Sequence, residues 1–158
     1  YRTNFGVMIW LNKQSLIQLS FLVILVTGII NGWVVLMNIE GAMAQRVLGS
    51  DLFFPPPYVI GSVWTLLMLG LAFCFNRLHN KKSYQTIVLF LFFACVAYPI
   101  YTFGFSSIKI MLASNLFIIV FATFLSGMLF DKFRYLASII LLIPIWVVFV
   151  TYLMFFIY

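Results

Sequence analysis

Catalysis needs a nucleophile, a proton carrier or a bound metal, and this chain is poor in all three. Its one histidine, His79, lies in a short basic stretch, and its two cysteines, Cys74 and Cys95, lie in long apolar runs. The three acids, Glu40, Asp51 and Asp131, stand outside every such run. A triad cannot be assembled from a single loop histidine, and metal coordination at His79 would need partners it lacks. No glycine-rich phosphate cradle is present. What the chain has in quantity is rings: 19 Phe, 8 Tyr and 4 Trp. Stacked aromatic walls with a few polar contacts at the rim suit a large, flat, apolar ligand. The ring that spacing places beneath a stiff loop is Trp64, on one helical face with Gly61 and below Phe53, Pro55 and Pro56. Asn31 and Asn115 are the candidates for polar contacts at the edge, because an amide can bond a ligand as readily as a neighbouring helix.

The elements that must hold these residues follow from composition. Mean hydropathy is +1.17, 65% of residues are hydrophobic and 8% are charged, which excludes both a soluble domain and disorder. The charges divide the chain into five uncharged runs: Ser15–Met37, Tyr58–Asn76, Tyr84–Phe105, Ile110–Phe130 and Tyr135–Tyr158. Each holds roughly 19 to 24 residues, the length that crosses ~30 Å of hydrocarbon as a helix. Spanning strands would be about half as long and would alternate polar with apolar residues. The fold class is therefore an all-α membrane protein, a single domain over residues 1–158 made of a five-helix transmembrane bundle. Short loops after the second, third and fourth helices make consecutive helices antiparallel neighbours.

Lys and Arg set the orientation. Arg2, Lys13, Arg77, Lys81, Lys82, Lys132 and Arg134 fall on one side of the membrane and only Arg46 and Lys109 on the other, so the N-terminus is expected in the cytoplasm. The formal net charge of +6 then reads as a topology signal whose partners are membrane lipids, with no nucleic acid involved. The chain starts at Tyr1 without a methionine, which leaves room for residues upstream. Its first apolar run is too long and too weakly flanked to be a signal peptide. Residues 1–14 read as an amphiphilic lead-in with Trp10 at headgroup level.

The one long connection, 38–57, ends in Phe53-Phe54-Pro55-Pro56-Pro57 and opens the second helix. Proline at a helix start has φ already set and needs no N–H partner there, so this loop is expected to be an ordered lid over one mouth of the bundle. Polar residues within the spans form stripes: Ser20, Ile24, Thr27 and Asn31 in helix one, and Asn115, Ile119, Ala122 and Ser126 in helix four. Such stripes pack helices together.

At this point the chain resembles the TspO/MBR family, the translocator proteins and bacterial tryptophan-rich sensory proteins. The resemblance rests on Phe53, Pro55-Pro56, Gly61, Trp64 and Thr65-Leu66-Leu67 at the start of helix two. It continues in Tyr98-Pro99-Ile100 with Phe103-Gly104 in helix three, and in Trp146, Phe149 and Thr151-Tyr152-Leu153 in helix five. It implies a ligand-binding bundle, commonly a homodimer, whose pocket opens beneath the first loop and takes a porphyrin of the protoporphyrin IX kind, another tetrapyrrole, or a sterol-like lipid. It implies that Trp64 and Trp146 line that pocket, with Tyr98 and Phe149 completing its aromatic walls and Phe53, Pro55 and Pro56 in its lid, and that enzymatic activity, if present, is light-dependent porphyrin breakdown. The family's spread and the charge asymmetry point to a bacterial inner membrane. The chain departs from the family pattern at Tyr58, Ser50-Asp51, Pro144 and Met154, where polar pocket residues are replaced. The alternative reading is therefore an accessory subunit of a larger membrane complex that retains the fold with a degenerate pocket.

Overall fold

The computed structural model describes the backbone of residues 3–36, 55–104 and 107–155, and the side chains of 15–36, 55–56, 58–101, 107–153 and 155. Five helices account for nearly all of it: α1 Thr3–Leu36, α2 Pro57–Arg77, α3 Lys82–Gly104, α4 Ile108–Phe130 and α5 Arg134–Phe155. Each contains a stretch long and apolar enough to cross a membrane: Ser15–Leu36, Tyr58–Arg77, Lys82–Tyr101, Ile108–Phe130 and Arg134–Leu153. In hydrocarbon a backbone must satisfy its own hydrogen bonds, which an uninterrupted helix does. The lead-in is not a separate piece, since α1 runs back to Thr3 without a break. Nothing between Thr3 and Gln14 breaks a helix, and the backbone continues its ladder through Lys13.

The expected lid falls largely outside the described residues, including Phe53. Its three prolines, Pro55, Pro56 and Pro57, are visible. Pro56 caps α2 at φ −55° and ψ 145°, with Pro57 in the first turn. The carbonyl of Pro56 accepts from the N–H groups of Val59, at 2.8 Å, and Ile60, at 3.3 Å. Pro55 is buried and Pro56 exposed.

The turn between α2 and α3 is tight. Lys81 N–H donates to Leu78 O at 2.7 Å, and the Gln85 side chain donates to Phe75 O at 3.2 Å, closing an open carbonyl at the end of α2. Each of these joints reverses the chain, so the basic residues Arg77, Lys81, Lys82, Lys132 and Arg134 gather at one end of the bundle. Arg77 lies over the Phe73 ring and Arg134 over the Phe130 ring, both at 5.1 Å.

Contacts between α1 and α2, α2 and α5, α5 and α4, α4 and α3, and α3 and α1 arrange the helices in that order around the bundle, with α2 also touching α3. The α4–α5 pair is the most extensive. There Ser126 Oγ donates across to Ala137 O at 2.9 Å, and Ala122, Leu125, Leu129, Leu136, Ala137 and Ile140 are fully or almost fully buried. Helix α1 lies at the margin. Among its described side chains Val23 and Thr27 are the buried ones, while Phe21, Leu22, Leu25 and Ile29 face outward. Its expected stripe is accordingly shifted by one residue: Ile24 is 52% exposed and Val23 takes the inward place. Thr27 turns its hydroxyl to Val23 O of its own helix at 2.8 Å.

On α2, a Cβ at Gly70 would stand 2.9 Å from Ile139 Cγ2, so this glycine sets the distance between α2 and α5. The outer seam of α3 and α4 carries a second set of rings. Phe117 and Phe121 stack at 5.6 Å, Phe90 meets Phe121 edge-on at 5.5 Å, and Phe90, Phe117 and Phe124 are exposed. Beside them an apolar groove of about 310 Å³ is lined by Ala94, Tyr101, Ala113, Ser114 and Phe117.

Candidate ligand-binding site

The expected site residues lie in the half of the bundle opposite the basic turns. Trp64 follows the start of α2 by seven residues, Tyr98 precedes the end of α3 by six, and Asn115 follows the start of α4 by seven. At about 1.5 Å per residue, all three lie roughly 9 to 11 Å below the same ends. Their shared depth is the first reason to treat them as one site.

Trp64 is 7% exposed, and its ring lies 5.0 Å from that of Tyr98, tilted by 37°. Tyr98, itself buried, meets Tyr101 edge-on at 5.7 Å. Pro99 sits inside α3 between them. Its missing N–H releases the carbonyl of Cys95 from the helical ladder and its ring bends the helix. Two residues on, Tyr101 donates its hydroxyl back to Ala94 O at 3.0 Å, spanning this bend. An aromatic wall formed by Trp64, Tyr98 and Tyr101 thus runs from α2 into α3.

A flat ligand stacked on both sides needs about 7 Å between rings, twice the contact distance of carbon atoms. At 5.0 Å, Trp64 and Tyr98 stack on each other, so they form one side of a site and do not enclose a ligand between them. Gly61 and Asn31 stand one turn away. A Cβ on Gly61 would lie 3.1 Å from Asn31 Nδ2, so the glycine makes room for the amide and seats α1 on α2. Thr65 keeps its hydroxyl on Gly61 O at 2.9 Å. Asn31 is half-buried at this seam.

Helix α5 carries the other two predicted rings. Trp146 is half-buried, Phe149 is 37% exposed, and the two meet at 5.3 Å with a 39° tilt. They pair with each other, and among the described residues no ring contact joins them to Trp64 and Tyr98. Pro144, two residues before Trp146, is buried within α5.

Asn115 is 1% exposed. Its Nδ2 donates to Thr151 Oγ1 at 2.7 Å, and Thr151 donates to Val147 O, also at 2.7 Å. Asn115 Oδ1 is buried with no hydrogen-bond partner among the described residues. Sequence reading missed Tyr101 and Thr151. The i, i+3 spacing of Tyr98 and Tyr101 was the available signal for the first. For the second it was the presence of a polar residue on α5 in the same half of the bundle as Asn115.

The family model described as the TspO/MBR family matches residues 20–158, from the first turns of the α1 span onward. No curated protein and no solved structure matches.

Proposed function

The chain belongs to the TspO/MBR family, and from that premise we propose that it is an integral membrane receptor for a flat apolar ligand such as a porphyrin or another tetrapyrrole. The observation that carries this reading is the wall of Trp64 and Tyr98, both buried, and the half-buried Tyr101. It lies at the depth of a nearly fully buried amide, Asn115, that has an open acceptor. Buried rings give a broad apolar surface, and a few polar atoms at its edge set orientation. Trp146 and Phe149 extend the aromatic lining onto α5. The lid of this site is assigned to the loop that ends at Pro55 and Pro56.

The experiment is a titration of the purified protein in mild detergent with protoporphyrin IX, followed by quenching of tryptophan emission and by the porphyrin absorption band. Saturable binding in the wild type, weakened at least tenfold by Trp64→Ala with helicity and elution volume unchanged, supports the reading. A linear, unsaturable response in the wild type overturns it.

A second reading, an accessory subunit of a larger membrane assembly, draws on a different observation: the outward rings Phe90, Phe117 and Phe124 along the α3–α4 seam. Stoichiometric partner chains that co-purify in mild detergent, and that are lost when Phe90 and Phe117 become Leu together, would favour it. Partner-free protein that binds porphyrin would exclude it.

A further inference from the structure

We propose that the polar edge of this site is made to accept a hydrogen bond, so that its ligand carries an O–H or N–H group on the rim of its flat apolar body. The proposal rests on the ligand-binding reading above and adds the polarity of the contact.

The Thr151 hydroxyl has one hydrogen, and it lies on Val147 O at 2.7 Å. Its oxygen can therefore only accept from Asn115, which fixes the amide with Nδ2 toward Thr151 at 2.7 Å. The reversed amide would set two acceptor oxygens face to face at that distance. Asn115 Oδ1 therefore points away from Thr151, with both lone pairs open and no donor among the described residues.

Four hydroxyls in the described spans are each answered by a backbone carbonyl. Thr27 donates to Val23 O, Thr65 to Gly61 O, Ser114 to Ile110 O and Ser126 to Ala137 O. Asn115 departs from that pattern although it is 1% exposed. A buried acceptor without a donor is costly, and the cost is recovered by whatever brings a donor to it. A site holding such a group discriminates strongly between a ligand that satisfies it and an analogue that does not. A ligand offering only ether or ketone oxygens leaves Oδ1 as it is, whereas an alcohol, acid or lactam N–H completes it. Asn115 would then orient the ligand, with the wall of Trp64, Tyr98 and Tyr101 at the same depth.

The test uses 1-pyrenemethanol and its methyl ether, which share a flat ring system and differ in the donor. Binding to the full chain in mild detergent is read from energy transfer between tryptophan and pyrene. The alcohol is expected to bind on the order of tenfold more tightly than the ether. Asn115→Leu, which keeps the size of the side chain, should bring the two within about twofold of each other, while Trp64→Ala should weaken both. Equal binding of alcohol and ether to the wild type overturns the proposal without any variant, and means that water fills the place. A preference that survives in Asn115→Leu also overturns it. Failure of both probes to transfer energy at saturating concentration removes the ligand-binding reading and this inference with it.

Discussion

Replacing Gly70 by Ala tests the closest approach in the bundle. The added Cβ would stand 2.9 Å from Ile139 Cγ2, whereas carbon atoms rest at about 3.5 to 4.0 Å. The shortfall is therefore roughly 0.6 to 1.1 Å. Cγ2 is attached directly to the branched Cβ of Ile139, whose χ1 has essentially one well in a helix, so it cannot swing aside and the helices must separate. Overpacking of this kind costs about 1 to 3 kcal/mol. Alanine also returns ~1 kcal/mol of helix propensity over glycine, which leaves a net loss of up to about 2 kcal/mol. Reversible unfolding by sodium dodecyl sulfate in dodecyl maltoside micelles, followed by tryptophan emission, measures it. Ile139→Ala removes Cγ2, so the double variant should recover at least ~1 kcal/mol relative to the sum of the single changes. Trp64 lies six residues before Gly70 on α2, so porphyrin affinity should fall in Gly70→Ala and return in the double variant. Strict additivity in the double variant would refute the reasoning.

Three further outcomes are expected. Ser126→Ala should lose about 0.6 to 1 kcal/mol in the same titration, the value of one hydrogen bond between membrane helices, because it deletes the bond to Ala137 O. Cys74 and Cys95 are both 0% exposed. A maleimide should therefore modify them only through unfolding, at rates that rise with detergent denaturation as measured by intact mass; rapid labelling of the native protein would contradict their burial. Cysteines placed at Lys81 and Lys109 should be labelled from opposite faces of sealed vesicles, Lys81→Cys from the cytoplasmic face. Labelling of both from one face would refute the antiparallel arrangement of α3 and α4.

The five spans were legible because a bilayer imposes length and excludes charge, and both are visible in composition alone. The inward faces were less so. Soluble helices show their core by an apolar stripe, but lipid is as apolar as the core, so the choice between Val23 and Ile24 had no signature in hydrophobicity. Polar residues gave better guidance. Asn115, Ala122 and Ser126 are all buried, since a polar group facing lipid is expensive. The pairing of Trp64 with Tyr98 was anticipated only as membership of one wall; their 5.0 Å stacking depends on how α2 and α3 meet, which local sequence does not encode. Phe149 turned partly outward for the same reason: its orientation follows from the rotation of α5, which the α4–α5 packing sets.

The marginal place of α1 bears on how the protein is made. Only 11% of its apolar window is buried within the bundle, against 44% for α5. During synthesis α1 enters the membrane first, yet the contact that seats it, Asn31 on Gly61, does not exist until α2 has followed. The helices with the most extensive mutual packing, α4 and α5, are the last to arrive. Insertion and assembly therefore run in opposite directions along the chain. A nascent chain halted before α2 leaves α1 without the contact that seats it and Asn31 facing lipid, which exposes that intermediate to membrane quality control.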